Sequence, residues 1–162
     1  MKKVLDVIET DRLLLRGIDE NDADSIVKWR SNSDVYKYFK SSHKITLQEH
    51  LNWYHNIYLK NFDRLDWICI SKNNYSKIGV FGYSIDNDKA ELHYILAPEE
   101  QHKGYAYEAL SGIINYIKNN KRVHYIFAEI HESNMPSISL IRKLNFELVN
   151  NDGHFNVFEL TI

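Results

Sequence analysis

The stretch Leu96-Ala97-Pro98-Glu99-Glu100-Gln101-His102-Lys103-Gly104-Tyr105-Ala106 joins a predicted strand to the most regular helical pattern in the chain. Apolar residues recur there at the spacing of an amphipathic helix, at Ala106, Ala109, Leu110, Ile113, Ile114 and Ile117. The first amides of a helix lack partners within it and carry partial positive charge, so they favour phosphate groups. Gln101-x-x-Gly104-x-Ala106 therefore predicts a phosphate-binding turn, although the hexapeptide is also compatible with an ordinary strand-to-helix connection.

Three strands are predicted before this stretch, over residues 67–71, 78–85 and 90–96. Their connections are short, and Asn73-Asn74-Tyr75-Ser76 and Asp86-Asn87-Asp88 are typical turn sequences. Strands joined in this way predict an antiparallel meander. The turn is therefore not a dinucleotide-binding fingerprint, which follows a βαβ unit and begins with a glycine that is missing here.

The rest of the chain predicts further helices and strands around the meander. Upstream we expect a strand at 12–17, a helix from Asp22 through Trp29, a short helix at 35–39, and a helix opened by the capping box Thr46-Leu47-Gln48-Glu49. Downstream we expect a strand at 123–130, a helix capped by Asn134, and strands at 146–150 and 154–160. The order predicts an α/β (α+β) fold in one domain, 1–162, with a mixed, largely antiparallel sheet of about seven strands and about four helices.

Composition narrows the class of partner. The 162 residues carry a formal net charge of −2, which argues against nucleic acid or an anionic membrane as partner. No apolar run approaches the roughly 20 residues of a membrane span, and the N-terminus does not resemble a signal peptide, so we expect a cytoplasmic protein. The single cysteine, Cys69, lies in an apolar run and is expected to be a core residue. No cluster has metal-ligand spacing, and no metal is expected.

A second motif follows the central helix. Asn134, Ser137, Leu140, Lys143 and Phe146 stand at the spacing N-x-x-S, then L, K and F. Together with Gln101-x-x-Gly104-x-Ala106, they resemble the GNAT superfamily of N-acetyltransferases, most specifically between residues 90 and 148. The resemblance implies transfer of an acetyl group from acetyl-coenzyme A to a primary amine by direct attack.

The resemblance also implies a coenzyme A site. Amides from His102 to Ala106 would hold the pyrophosphate, and the backbone of Ile95 and Leu96 would pair with the pantetheine arm as an added strand does. The residues expected to bind the co-substrate are Ile95, Leu96, Gln101, His102, Lys103, Gly104, Tyr105, Ala106, Asn134 and Lys143. Lys143 is equally compatible with a solvated helix face.

Two positions depart from the family pattern. Asn145 stands where glycine usually precedes Phe146, and asparagine tolerates the left-handed conformation that such a turn needs. Ile141 stands where many members carry the tyrosine proposed to protonate the leaving thiolate. Ser137 or a water is expected to take that role, unless the thiolate leaves unaided.

Two carboxylates in apolar strands are candidates for the catalytic base. Glu129 matches the catalytic glutamate of bacterial ribosomal-protein N-terminal acetyltransferases, and Glu91 matches an acidic position of polyamine and sugar acetyltransferases. A strand carboxylate among apolar residues can have the raised pKa that suits a base. His93 and His131 are alternatives for proton relay, since histidine titrates near neutral pH.

The N-terminal half points to the acceptor. Trp29-Arg30 and the segment from His43 to Leu51 resemble the nucleotide-sugar N-acetyltransferases of pseudaminic acid synthesis. Arg30 would pair with phosphate, Trp29, Tyr36 or Phe39 would stack on base or sugar, and His93 would face the acceptor. The C-terminal half also resembles ribosomal-protein and spermidine acetyltransferases. A protein N-terminus or a polyamine therefore stays an alternative acceptor, an inactive coenzyme A-binding module is an alternative of another class, and a homodimer is compatible with the resemblance.

Overall fold

A mixed eight-stranded sheet organises the molecule. The computed structural model describes residues 2–120 and 122–162. Its strands are β1 (Ile8–Glu9), β2 (Leu13–Gly17), β3 (Arg64–Ser71), β4 (Lys77–Asp86), β5 (Lys89–Leu96), β6 (Tyr125–His131), β7 (Glu147–Asp152) and β8 (Phe155–Thr161). The strand order is β1-β2-β3-β4-β5-β6-β8-β7. Every neighbouring pair is antiparallel except β5 and β6.

Five α-helices lie in the described part of the chain. They are α1 (Ala23–Arg30), α2 (Ser33–Tyr36), α3 (Leu47–Asn56), α4 (Tyr105–Asn120) and α5 (Met135–Lys143). Two of the expected caps are present. Thr46 and Glu49 form the capping box of α3, and the Asn134 side chain accepts the Ser137 amide at the start of α5. Within the described ranges, none of these helices combines the length and hydrophobicity needed to cross a bilayer.

The sheet is buried on both faces. One face packs against α4 and α5 around Trp67, Phe81, Leu110 and Ile113, which are all fully buried. The other face packs against α1 and α3 around a smaller cluster that includes Trp29 and Ile68. Because successive strand residues point to opposite faces, neighbouring residues of β3 and β5 contribute to different layers.

The predicted fold class is confirmed, with eight strands in place of about seven and five helices in place of about four. The additional strand, β1, has only two residues, too few to show the alternation by which a strand is recognised. The short helix expected at 35–39 begins earlier, because the Asn32 side chain caps the Asp34 amide and starts α2 at Ser33.

The parallel pair positions the candidate site. β5 pairs with β6 only at Lys89, Ala90 and Glu91. Beyond Glu91, β5 continues to Leu96 beside β4 alone, so the backbone edge that faces β6 is free of ladder partners there. Such a free edge can accept an added strand-like ligand.

Candidate functional site

Two cavities meet at the end of β5. The α3-side cavity, about 600 Å³, lies on the face that carries α1 and α3, and its walls include Arg30, Phe39, His50, Asp66, Glu91, His93, Tyr94, Ile95 and Glu129. The α4-side cavity, about 1060 Å³, runs along α4 and α5 and includes Leu96. Consecutive residues of β5, Ile95 and Leu96, thus line different cavities.

The α4-side cavity collects most of the residues predicted to bind the co-substrate. Its walls include Leu96, His102, Gly104, Tyr105, Ala106 and Lys143. Gly104 has φ +79° and His102 has φ +64°, so the backbone turns sharply just before α4 begins at Tyr105. A turn of this kind directs the first amides of the helix outward, where they can bind an anion.

Arg12 supports this turn, and the sequence interpretation missed it. Its guanidinium donates to the Lys103 carbonyl (2.9 Å) and to the Glu108 carboxylate (2.6 Å), and it lies 4.6 Å from the centre of the Tyr105 ring. A half-exposed cation therefore stands beside the predicted phosphate-binding amides. No local motif identifies Arg12, because its partners at the start of α4 lie more than 90 positions away in the sequence.

Four other residues predicted for the co-substrate lie elsewhere. Ile95 lines the α3-side cavity, and Asn134 caps α5. Gln101 and Lys103 are exposed and are absent from the walls of both cavities, and Lys103 pairs with Glu100 at 2.8 Å.

Tyr94 connects the two sides of the site. It lines the α3-side cavity, stacks on Phe81, and its hydroxyl donates to Ser137 Oγ at 2.8 Å. Burial raises the pKa of Tyr94 to about 12, although the bond to Ser137 acts in the opposite direction. The hydroxyl is therefore protonated at neutral pH and can act as a donor. Ile141 of α5 is fully buried in the core.

The two predicted carboxylates both line the α3-side cavity. Glu129 forms an ion pair with Lys40, from the loop that precedes α3. Glu91 has no ion-pair partner among the described residues, and burial followed by the nearby Glu129 charge raises its pKa. Glu91 is thus the carboxylate of the two that lacks a cation bonded to it.

A third acid of this cavity, Asp66, was not among the predicted site residues. Asp66 is buried, its carboxylate hydrogen-bonds His93 Nε2, and Arg64 Nε donates to it at 2.8 Å. Burial acts to raise the pKa of Asp66, but the His93 and Arg64 contacts outweigh it and lower the pKa to about 2. Asp66 is therefore ionised at neutral pH.

The α3-side cavity also contains cationic and aromatic side chains. Arg30 Nε is buried without a hydrogen-bond partner among the described residues, and its guanidinium lies 5.0 Å from the Phe39 ring centre. Burial and then the nearby Arg64 charge lower the pKa of Arg30. His50 is only 6% exposed, and its Nε2 also has no hydrogen-bond partner among the described residues. An anion placed here would supply the missing partners.

Three residues predicted for acceptor binding or proton relay do not line the α3-side cavity. Trp29 is 4% exposed and packs in the α1–α3 core cluster, so its indole belongs to the hydrophobic core. Tyr36 is absent from the cavity walls, which Tyr38 and Phe39 line instead. His131 Nδ1 accepts the Ser133 amide, and its ring packs edge-on against Phe155. Sequence spacing located the right segment but not the side chains that turn inward.

The family profile described as acetyltransferase (GNAT) domain matches residues 12–147. The chain belongs to the GNAT acetyltransferase family. Acyl transfer is therefore its class of activity, in agreement with a free strand edge at β5 and a turn into α4 that suits phosphate.

Two relatives are similar to this GNAT chain over most of its length. It is 28% identical over 148 residues to the uncharacterised protein MJ1062 of Methanocaldococcus jannaschii, a match that covers 86% of this chain and 29% of that protein. It is 25% identical over 146 residues to the uncharacterised N-acetyltransferase YoaA of Bacillus subtilis, covering 87% of this chain and 82% of the relative. The chain thus spans less than a third of one relative and most of the other.

Solved GNAT structures share the fold. A GNAT-family acetyltransferase from Bacillus anthracis superposes with a TM-score of 0.82 at 21% identity, covering 96% of this chain and 98% of that one. A ribosomal L7/L12 α-N-protein acetyltransferase in complex with coenzyme A gives 0.82 at 18% identity (97% and 98%). Spermidine N-acetyltransferase from Vibrio cholerae with coenzyme A and spermine gives 0.81 at 20% identity (94% and 96%).

No metal centre accompanies the site in the described ranges. Within residues 2–120 and 122–162, no group of three or more His, Cys, Asp or Glu side chains is arranged to hold a metal ion. The single thiol, Cys69, is fully buried in the core.

Proposed function

We propose that this GNAT chain transfers the acetyl group of acetyl-coenzyme A to the primary amine of a nucleotide-linked amino sugar. The observation that supports this acceptor is the composition of the α3-side cavity, which contains strand carboxylates together with an Arg30 Nε and a His50 Nε2 that have no hydrogen-bond partner among the described residues. An acceptor that satisfies both kinds of group has an amine and an anionic group, and a nucleotide-linked amino sugar has both.

The α4-side cavity is the proposed site of coenzyme A. The turn at Gly104 exposes the first amides of α4, and Arg12 and Lys143 place cations on the same cavity. Together these groups fit a pyrophosphate and the adenosine phosphates, while the free edge of Ile95 and Leu96 fits the amides of the pantetheine arm. Asn134 supports this arm indirectly, because it starts α5 beside Ser137.

Glu91 and Glu129 of the α3-side cavity are proposed to receive the acceptor amine. An alkyl ammonium group must lose a proton before it can attack a thioester, and its free pKa is near 10. Glu91 is suited to take that proton, directly or through water, because its own pKa is raised and it has no competing ion pair. Glu129, which Lys40 neutralises, is proposed to hold the amine beside it.

Tyr94 and Ser137 are proposed to protonate the departing thiolate. They form a hydrogen-bonded pair where β5 leaves β6, between the two cavities. In this chain they take the place of the tyrosine that many relatives carry at the position of Ile141. Removal of either hydroxyl should slow transfer more than it weakens acetyl-coenzyme A binding.

The arrangement of charges distinguishes among acceptors. Arg64 neutralises Asp66 and Lys40 neutralises Glu129, which leaves Glu91 and Glu49 as the carboxylates of the cavity without an ion-pair partner among the described residues. Glu49 is exposed and accepts the Thr46 amide in the capping box of α3, so Glu91 is the free carboxylate inside the cavity. A polyamine carries several ammonium groups and would need more free carboxylates than this. Arg30, which would repel a polycation, instead gains a partner when the acceptor carries phosphate.

Calorimetry with acetyl-coenzyme A tests the co-substrate site. We expect micromolar binding by the wild type and none by Gly104→Glu, which places a bulky anion at the proposed pyrophosphate. Gly153→Glu is the matched control, since Gly153 also has positive φ (63°) but lies in the β7–β8 turn with open space around it. Equal loss in both variants would indicate backbone strain, and absence of binding by folded wild type would refute the proposal.

An acceptor panel tests the substrate class. The wild type is assayed with a UDP-linked amino sugar, a serine-starting peptide and spermidine. We expect the sugar to give the highest kcat/KM, and Arg30→Gln to raise its KM about 10- to 100-fold, the effect of a lost charge-assisted hydrogen bond. Lys28→Gln, on the exposed face of the same helix, should leave KM unchanged. A higher kcat/KM with spermidine or the peptide would refute this acceptor.

The single-domain organisation, the cytoplasmic location and the homodimer stay predictions. Size-exclusion chromatography with light scattering would report the oligomeric state directly.

A further inference from the structure

Asp66, Gly82 and His93 lie in one line across the sheet. Asp66 of β3 is the register partner of Gly82 of β4, and Gly82 is the register partner of His93 of β5. Directly paired residues point to the same face of a sheet, so Asp66 and His93 project toward the α3-side cavity from strands about 9.6 Å apart. The residue between them has no side chain, and the two outer side chains meet above it.

Gly82 is required for this meeting. A Cβ built on Gly82 would lie 2.5 Å from Asp66 Oδ1 and 2.9 Å from His93 Nε2, both closer than real contacts allow. It would also lie 2.3 Å from the Leu65 carbonyl oxygen. The gap in the side-chain layer is therefore filled by the hydrogen bond between Asp66 and His93 itself.

The contact fixes which nitrogen of His93 carries the proton in the neutral ring. An ionised carboxylate can only accept hydrogen bonds, so His93 Nε2 must donate to Asp66. Nδ1 is then the unprotonated nitrogen with a free lone pair. Arg64 holds the other carboxylate oxygen, which prevents Asp66 from rotating away. The side chain of His93 is 28% exposed and lines the cavity, so an acceptor can reach its ring.

We propose that His93 is a further catalytic residue, whose Nδ1 takes the second proton of the acceptor nitrogen once the new C–N bond has formed, and that Asp66 is the residue that positions it. This inference rests on the proposed function. Glu91 has already made the amine neutral; His93 acts on the nitrogen after the new bond has formed and has made its remaining protons more acidic.

The proposed transfer consists of addition to the carbonyl carbon followed by loss of the thiolate. The nitrogen lone pair forms a C–N bond while the carbonyl pair moves to oxygen, and His93 Nδ1 takes one proton from that nitrogen. The carbonyl then re-forms, the C–S bond breaks with its electron pair on sulfur, and the Tyr94–Ser137 pair donates a proton to sulfur. Solvent reprotonates Tyr94 and removes the protons from Glu91 and His93, so one proton is released in each turnover.

The surroundings of His93 separate its role from those of the glutamates. Asp66 and Arg64 face the ring from β3, and Glu91 faces it from β5. Glu129, which is paired with Lys40, faces it from β6. Arg30 on α1 and His50 on α3 line the same cavity. Of these groups only Asp66 is bonded to the ring. Proton transfer by His93 therefore needs no second proton on Glu91 and leaves Glu129 free to hold the amine.

Nitrogen NMR of the unliganded protein tests the orientation without an acceptor. In wild type we expect the neutral His93 ring to carry its proton on Nε2. In Asp66→Asn the carbonyl oxygen should keep the Arg64 bond, so the amide NH₂ faces the ring and the proton moves to Nδ1. A proton on Nδ1 in wild type would overturn the inference.

Steady-state kinetics test the catalytic role. The assay uses the acceptor that the wild type acetylates, out of the panel of UDP-linked amino sugar, serine-starting peptide and spermidine. We expect His93→Ala and Asp66→Asn to lower kcat about 10²- to 10⁴-fold, with acetyl-coenzyme A affinity unchanged by calorimetry. Added imidazole should restore part of the rate of His93→Ala. His55→Ala, which removes an exposed histidine of α3, should keep full kcat.

The outcomes distinguish the two proposals. A wild type that acetylates an acceptor while His93→Ala keeps its kcat would overturn the inference and leave the acetyltransferase assignment intact. A wild type inactive on all three acceptors would count against the proposed function, and the NMR measurement would still decide whether His93 Nδ1 is the free nitrogen.

Discussion

Replacing Asp22 should be among the most destabilising changes in this chain. Asp22 is fully buried at the start of α1, where it accepts two hydrogen bonds from Arg16 (both 2.9 Å), one from the Asp19 amide (2.9 Å) and an ion pair from Lys77 (2.8 Å). The network ties β2 and β4 to the helix that carries Arg30. In Asp22→Ala all four contacts are lost at once.

The loss in the free energy of unfolding depends on whether Arg16 and Lys77 can reach water once Asp22 is removed. Removing one member of a buried ion pair costs about 3–5 kcal/mol, because the other charge is left unpaired. The side chains of Arg16 and Lys77 are each 31% exposed, so both can turn toward water and the lower end, about 3 kcal/mol, is expected. At about 2–4 °C per kcal/mol for a domain of this size, the melting temperature should fall by about 6–12 °C.

The pH dependence gives a second signature. Burial acts to raise the pKa of Asp22, but the hydrogen bonds from Arg16 and Lys77 lower it below its usual value. A carboxyl group with a lowered folded-state pKa stabilises the protein above its unfolded pKa of about 3.9, and that contribution is lost as the pH falls through the folded pKa. The gap between wild type and variant should therefore be full at pH 7 and narrow below pH 3.9.

Urea unfolding followed by tryptophan fluorescence measures both effects at pH 7 and pH 3. Asp24→Ala, at an exposed position two residues along the same helix, is the control and should change the free energy of unfolding by less than about 0.5 kcal/mol. A loss below 1 kcal/mol for Asp22→Ala, or a gap that does not change with pH, would refute the argument.

Three further predictions concern single groups. Burial and the charge of Glu129 raise the pKa of Glu91, so ionisation of Glu91 lowers the stability of the protein above the usual glutamate pKa. Glu91→Gln should therefore raise the melting temperature at pH 7 but not at pH 3. The same substitution should slow acetyl transfer. Asn145 has φ +67° in the turn that ends α5, so Asn145→Gly should change unfolding free energy by less than about 1 kcal/mol in chemical denaturation, whereas Asn145→Val should cost about 1–2. Burial and then Glu108 raise the pKa of Cys69 to about 12, so iodoacetamide at pH 8 should label native protein on the order of 1,000-fold more slowly than urea-unfolded protein, and fast native labelling would contradict the buried thiol.

Local patterns predicted the parts of the fold that local physics determines. The apolar repeat of α4, the capping box at Thr46 and the cap at Asn134 all involve residues within four positions of one another, and the structure confirms each. The tolerance of asparagine for a left-handed turn also holds, because Asn145 and Phe146 donate to the Arg142 and Ile141 carbonyls as a helix-ending glycine turn would.

Contacts between distant strands could not be obtained in this way. β3 begins at Arg64, not at residue 67, because Arg64 and Asp66 are polar residues that satisfy each other and His93 inside the site. Their role depends on the register of three strands, which no local spacing encodes. For the same reason Arg12 was missed, and Trp29 was assigned to the acceptor although the α1–α3 core contains it.

The register of β5 links the whole of the proposed chemistry. Glu91, His93 and Ile95 share one face of this strand and line the α3-side cavity, whereas Leu96 lines the α4-side cavity. A shift by one residue would exchange the two sets. Pairing with β4 over all eight residues of β5 prevents such a shift, and early separation from β6 leaves the free edge for the co-substrate. The same strand can therefore bring amine and thioester together only in the register that also places His93 above Gly82, opposite Asp66.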